Sequence, residues 1–423
     1  MALQIKSVNI IGAGIGVSLG TVDSVVVGPG VLVASSGTMG ISGDGANHLA
    51  SIYGSVFAAT VGVFLGNDAT NDHHQRLYVG AEGDLWGGTQ GARIVGHDSR
   101  VYNHGSIHGE NAGLVLSGVG TGDTLVYNYG TIHSAGTGIS RQGTGDTESL
   151  TISNFGRISG DSFSYNSNGA NAIDKVFNRG SMIGTIDLGL GNDLYDGRGG
   201  KVFGSILGGA GNDFFLLGTS AEAINGGTGT DVLDCRYFGG VIIALDGSLH
   251  NAGAATGDTF TGIESVVGSN VGNDTLVGNS LANELVGLGG SDLLSGGSGN
   301  DTLSGGVAVD RMIGGLGNDF FDYFSLADAG DKLLDFTNVF GNDDTIRINT
   351  FSFGGNLGFG ALAASQFQSR ADNLAQDAND RFIFRTTDKT LWFDNNGSAA
   401  GGLLLVADLQ AGATLTAADI VLI

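Results

Sequence analysis

The 423-residue sequence predicts an all-β fold: a parallel β-helix, or solenoid, running into a parallel β-roll and closed by a C-terminal β cap. Three observations predict it. Glycine supplies 78 residues and proline one, while 41% of residues are apolar. Collagen needs glycine in every third place with abundant proline, and a disordered linker lacks the apolar content for a core. Second, the N-terminal part repeats with a period of roughly 25 residues. Third, from residue 188 onward a nine-residue pattern takes over. We therefore divide the chain into residues 1–185, 186–330 and 331–423.

The first repeat is read from VYNHGSIHG (101–109), VYNYGTIHS (126–134), ISNFGRISG (152–160) and VFNRGSMIG (176–184). The central glycines Gly105, Gly130, Gly156 and Gly180 are separated by 25, 26 and 24 residues, and Gly204 extends the register. Weaker copies surround Gly83, Gly54 and Gly30. Short β-branched runs between turns, with no helical spacing, fit one coil of a parallel β-helix whose apolar face is buried by the next coil. Seven or eight such coils are expected. Asn103, Asn128, Asn154 and Asn178 should then stack as a structural ladder, each side chain about 4.8 Å from the next. His108 and His133 should stack in an exposed ladder, and His73 with His74 should lie in a solvated loop.

The second repeat carries the chemistry. Its form is G-G-x-G-x-D, then an apolar residue, any residue, and often another apolar one. Full copies are GGAGNDFFL (208–216), GGTGTDVLD (226–234), GGSGNDTLS (296–304) and GGLGNDFFD (314–322). LGLGNDLYD (188–196), GLGGSDLLS (287–295) and GGVAVDRMI (305–313) are degenerate copies, and SNVGNDTLV (269–277) and GNSLANELV (278–286) are weaker ones. Asp292, Asp301, Asp310 and Asp319 follow one another at intervals of nine, and Glu222 lies midway between Asp213 and Asp231. Six residues make a turn in which glycine permits positive φ and close backbone approach; three make a strand. Two repeats form one 18-residue turn of a roll, so alternate repeats stack.

Between stacked turns, carbonyls and aspartates converge on a gap of Ca²⁺ size. Ca²⁺ takes 6–8 oxygens at 2.3–2.6 Å. The candidate ligand turns are Gly189, Gly191 and Asp193; Gly208, Gly209, Gly211, Asn212 and Asp213; and Gly226, Gly227, Gly229, Thr230 and Asp231. Further along they are Gly272 and Asp274; Gly289 and Asp292; Gly296, Gly297, Gly299, Asn300 and Asp301; Gly305, Gly306 and Asp310; and Gly314, Gly315, Gly317, Asn318 and Asp319. The fullest pairs are Asp213 with Asp231 and Asp301 with Asp319. Asp292 with Asp310 is less complete because Ala308 replaces a turn glycine, and Glu284 stands in for aspartate in its own repeat.

These repeats resemble the repeats-in-toxin (RTX) family, exported by type I secretion from Gram-negative bacteria. The resemblance covers roughly residues 188–423. DKLLDFTNVFGNDDTIRI (331–348) is similar to the family segment that follows the roll, and DRFIFRTTDKTLWFDNNGSAAGG (380–402) to the closing hairpins of the serralysin-type C-terminal domain. LTAADIVLI at the C-terminus resembles an uncleaved export signal. The resemblance implies several bound Ca²⁺ ions, the type I secretion machinery as a partner, and folding outside the cell.

Composition narrows the partners. A formal net charge of −24 repels nucleic acid and anionic membranes. The apolar run Val56–Leu65 is too short to span a bilayer, and Gly12, Gly14 and Gly16 break the apolar stretch after Lys6 that a cleaved signal would need. The one cysteine, Cys235, is expected to be a small buried residue. No histidine is followed by glutamate, so a zinc-protease H-E-x-x-H is absent, and Gly16-Val17-Ser18-Leu19-Gly20 lacks the strand–turn–helix context of a nucleophile elbow. Arg141, Arg157 and Arg179, with Asp146, Asp161 and Asp174, fall at different places in successive coils and define no convergent site. The expected function is non-enzymatic: a secreted calcium-binding component of an S-layer, matrix, filament or adhesin, at the surface of a Gram-negative bacterium. Residues 1–20 alternate like strands without a charged cap, which predicts homo-oligomers. The alternative is a lyase or epimerase, or a glycan-binding module, acting on cell-surface polysaccharide.

Overall fold

A computed structural model describes residues 2–21, 23–69, 71–118, 122–142, 147–399 and 401–423. The chain is all-β and forms two compact units, Met1–Asp231 with Asp258–Gly262, and Val232–Gly257 with Ile263–Ile423. The change from the long to the short repeat falls inside the first.

In the first unit each coil contributes up to three short strands, and each strand pairs in parallel with its counterpart in the next coil. On one face the stack runs from Leu3–Lys6 through Ser24–Val27, Leu49–Ile52, Arg76–Val79, Arg100–Asn103, Asp123–Asn128 and Ser149–Asn154 to Asp174–Asn178. Alternation puts Val25, Ala50, Leu77, Val101, Val126 and Val176 wholly inside. The central glycines are needed because coils approach closely at the turn: a Cβ on Gly130, Gly156 or Gly180 would collide with the carbonyl oxygen of the glycine one coil earlier. The asparagine ladder forms as expected. Asn103 donates to Asn128 (2.8 Å), Asn128 to Asn154 (2.8 Å) and Asn154 to Asn178 (2.9 Å), all fully buried.

Beyond Asp174 the coil shortens. The ten-residue strands Arg157–Asn166 and Ser181–Leu190 merge two faces of the helix into one. The stack then continues as a two-faced roll through Leu194–Asp196 and Phe214–Leu216 on one face, and Ser205–Ala210 and Ala223–Thr228 on the other.

The second unit is a roll with a cap. One face stacks Val232–Asp234, Ser265–Val267, Glu284–Gly289, Thr302–Val307, Phe320–Tyr323 and Thr345–Ile348 in parallel. The other stacks Ile242–Ala244, Thr275–Val277, Leu293–Ser298, Arg311–Leu316 and Asp331–Leu333. The middle strand residue points inward, so Leu285, Leu303 and Phe321 meet Leu276, Leu294 and Met312 in a fully buried seam. Leu403–Leu409 adds to the second face, and antiparallel hairpins through Thr390–Asp394 and Phe382–Arg385 close it. The strand Ile420–Leu422 pairs with Thr345–Ile348.

Candidate calcium sites

The rungs of the roll share one backbone plan. Most repeats place an aspartate just before the strand, and the backbone N–H at that position donates to Oδ1 of the aspartate in the turn stacked on it. In the second unit one ladder runs from Asp274 to Asp292 (2.7 Å), Asp292 to Asp310 (2.7 Å) and Asp310 to Asp331 (2.9 Å). On the other face Asn283 donates to Asp301 (2.7 Å), Asp301 to Asp319 (2.8 Å) and Asp319 to Asp344 (3.2 Å). In the first unit the ladder runs from Asp174 to Asp193 (2.7 Å), Asp193 to Asp213 (2.8 Å) and Asp213 to Asp231 (2.7 Å), with Glu222 donating to Asp258 (2.7 Å) on the other face.

At most of these aspartates one carboxylate oxygen is thereby used and the other is left, while Oδ2 of Asp274 accepts from Ser269 N–H (2.6 Å) and Oδ2 of Asp344 from Thr337 N–H (2.7 Å). Oδ2 of Asp193, Asp213, Asp292, Asp301, Asp310, Asp319 and Asp331 is buried and accepts no hydrogen bond. Those of Asp213, Asp292, Asp301, Asp310 and Asp319 lie against the first glycine of their own repeat. Beside the bare α-carbon of Gly208 lie Asp213 Oδ2 and the Gly226 carbonyl; beside Gly296 lie Asp301 Oδ2 and the Gly314 carbonyl; beside Gly287 lie Asp292 Oδ2 and the Gly305 carbonyl. A side chain on any of these glycines would fill the space. Each gap thus collects oxygens from two stacked turns.

An ionised carboxylate buried without a partner is costly. With no ion at the site, burial pushes Asp193 up to about 9, Asp292 and Asp301 to about 7, and Asp310 to about 6. Neighbouring rungs add to the shift at Asp292 and Asp301 by like-charge repulsion. A cation relieves both effects. Among the described residues no three His, Cys, Asp or Glu side chains gather in one place. A metal shell must therefore be completed by main-chain carbonyls, a hard all-oxygen donor set that fits Ca²⁺ and not the thiolate or imidazole sets of zinc.

Arginine distinguishes the acids that face metal from those that do not. Asp196, Asp234 and Asp322 lie three residues after Asp193, Asp231 and Asp319 and are equally buried. Asp196 pairs with Arg179 and Arg198 (2.7 Å each), Asp234 with Arg236 (2.7 Å) and Asp322 with Arg347 (2.5 Å). Burial opposes ionisation of Asp196 too, yet the hydrogen bonds from Arg198 and Arg179 hold it at about 2.

Most of the expected turn residues take these places. Positions two and four of the turn have positive φ: 108° at Gly209, 134° at Gly211, 107° at Gly297 and 120° at Gly299. Gly189, Gly191, Gly227, Gly229, Gly306, Gly315 and Gly317 behave alike. Asn212 and Asn300 spend their side chains on a rim ladder, accepting from the N–H of Thr230 (3.0 Å) and Asn318 (2.9 Å), so only their carbonyls remain for an ion. Two details differ from expectation. In the repeat 287–295 the left-handed residues are Leu288 (φ 74°) and Gly290 (φ 131°), and not Gly289. In the repeat 278–286 it is Asn283, not Glu284, that takes the aspartate position; Glu284 begins the next strand, opposite Thr302, and is exposed.

Asp258, Asp331, Asp335 and Asp344 are site residues that the nine-residue period does not reach. Asp331 stands 21 residues after Asp310 and Asp344 stands 25 after Asp319. Asp335 accepts from Gly314 (2.9 Å) and Gly315 (2.8 Å). For Asp331, Asp335 and Asp344 the signal in the sequence is the acidic segment 331–348 itself; Asp258 carries no such signal.

The other candidates resolve as follows. His108 and His133 lie one coil apart with ring centroids at 5.1 Å and tilted by 42°, and they are half-buried where the sequence predicts an exposed ladder, with His133 Nδ1 2.9 Å from Ser159 Oγ. His74 is exposed and its Nδ1 lies 2.6 Å from that of half-buried His73, which meets the His97 ring at 5.5 Å. Cys235 is buried. Ser18 lies mid-strand in Val17–Leu19. Arg141 is buried against Asp174, Arg157 is exposed, Arg179 serves Asp196, and Asp146 lies outside the described residues.

The model of the RTX calcium-binding nonapeptide repeat (4 copies) matches residues 205–233, 269–303 and 286–321, the segments that carry the rungs. No curated protein matches the chain. The matched repeats and the unmatched carboxylate oxygens of most rungs lead to one conclusion: this chain carries RTX calcium-binding nonapeptide repeats, which bind Ca²⁺ at several sites in a parallel β-roll.

Proposed function

We propose that the chain is a secreted structural protein of the bacterial surface, an S-layer, matrix, filament or adhesin component, and not an enzyme. The observation that carries this reading is the row of buried, unmatched Oδ2 atoms. It makes the roll dependent on an ion that is scarce in cytosol and abundant outside. A ligand that binds only the folded form stabilises it by RT ln(1 + [L]/Kd), about 2.7 kcal/mol at 100 times Kd. The chain thus stays loose during export by a type I route and folds where calcium is plentiful. Assembly of copies is supported by Leu3, Ile5, Val8 and Ile11, which are 59–76% exposed.

Light scattering of the purified chain in millimolar calcium tests the assembly reading. Oligomers that the Ile5→Asp/Ile11→Asp variant reduces to monomers are expected; a monodisperse monomer of the unaltered chain contradicts it. A glycan array and a uronate lyase assay are expected to stay blank, and turnover of an acidic polysaccharide would overturn the non-enzymatic reading.

A further inference from the structure

The ladder of the first unit contains one rung unlike the rest. Asp174 donates its N–H to Asp193 Oδ1 (2.7 Å), as Asp193 does to Asp213, so it belongs to the same ladder. Yet neither of its carboxylate oxygens is left over. Oδ1 accepts from Nη1 of Arg141, and Oδ2 accepts from the Tyr165 hydroxyl. All three side chains are almost wholly buried: Arg141 2% exposed, Asp174 1% and Tyr165 0%. Arg141 ends the strand Thr137–Arg141 and Asp174 opens the strand Asp174–Asn178. Its guanidinium also donates to the Glu148 carbonyl, and its own carbonyl accepts from Asn168 Nδ2 (2.8 Å).

The chemistry is that of a cation site already filled. Elsewhere in the ladder a buried carboxylate awaits a divalent ion; here a guanidinium from inside the β-helix supplies the positive charge and a phenol supplies a second donor. The arginines at Asp196, Asp234 and Asp322 are 26–43% exposed and face a different repeat position, so they serve the rim and not the rung. Arg141 is fixed by the fold and needs no solute. Breaking a buried ion pair by removing one partner is strongly destabilising, because the other charge is then buried alone.

We propose that Arg141 is a built-in cation that closes the Asp174 rung to calcium, so that the coils up to this rung fold without the ion and present a finished edge on which the calcium-dependent turns from Asp193 onward are laid. The switch from ion-independent to ion-dependent structure is thereby placed between two adjacent rungs of one ladder.

Hydrogen–deuterium exchange of the intact chain, in excess chelator and in millimolar calcium, tests this. In the unaltered protein, residues 147–187 are expected to be equally protected under both conditions, and residues 269–345 protected only with calcium. Arg141→Met is expected to lower protection of residues 147–187 on the order of 100-fold in both conditions, with Arg141→Lys restoring part of it. Loss of protection of residues 147–187 on chelation alone would overturn the proposal and needs no variant to fold. So would an Arg141→Met chain that keeps that protection.

Discussion

At the scale of the residue, the roll contains two kinds of buried aspartate that differ only in what faces them. Asp301 has an orphaned oxygen and is pushed up to about 7 by burial first and by Asp319 second. Asp322 is as buried but is bound by Arg347. Their amide variants should therefore respond to calcium in opposite ways. Asp301→Asn is expected to melt no lower than the unaltered chain in chelator, since it removes an unpartnered charge, and to lose up to about 2.7 kcal/mol of calcium-linked stabilisation at 100 times Kd. Asp322→Asn is expected to melt lower in both conditions. Scanning calorimetry with and without calcium reads both. Ala308 offers a second test. It holds φ at 91°, in a turn position where the full repeats have glycine, and its side chain is exposed. Ala308→Gly is expected to raise the free energy of urea unfolding in calcium by about 0.5–1 kcal/mol, strain relief outweighing the extra chain entropy.

At the scale of the element, each turn is legible where the chain repeats and illegible where it does not. The spacing of nine from Asp292 to Asp319 identifies rungs because identical turns must place identical groups one above another. The same logic misses Asp258, Asp331 and Asp344, whose rungs lie 36, 21 and 25 residues from their partners where the regular spacing is 18. It also misplaces Glu284, because a worn turn that keeps only Gly278 gives little frame to count from; the backbone bond from Asn283 to Asp301 settles the register. The rungs also fix the pH response of the calcium-free roll. These carboxyls titrate near 3.8 when exposed and are raised to about 6–8 at Asp310, Asp292, Asp344 and Asp331 when folded. Below about pH 4 they are protonated in both states and cost nothing. As pH rises through 4 toward 7, the unfolded chain releases protons first, so stability falls. Urea unfolding in chelator is expected to show the roll more stable at pH 5 than at pH 7.5, and calcium at pH 7.5 to reverse that order.

At the scale of the whole molecule, one principle serves two architectures. Both units hide an apolar seam between parallel strands, and both the later coils of the β-helix and the turns of the roll stack a polar side chain one above another. In the β-helix that side chain is asparagine, which carries donor and acceptor and so satisfies its neighbours without help. In the roll it is mostly aspartate, which carries acceptors only and leaves one unmatched in most rungs. The β-class, the two periods and the identity of the ion were legible because they follow from residue type and spacing. The compact units were not: the division near Asp231 depends on which turns the excursion through Asp258–Gly262 rejoins. Far-UV circular dichroism and thermal melting of the intact chain, in excess chelator and again in millimolar calcium, test the central claim most directly. The account predicts that part of the β signal, and a separate melting transition belonging to the roll, is present only with calcium. Identical spectra and identical melting in the two conditions would contradict it.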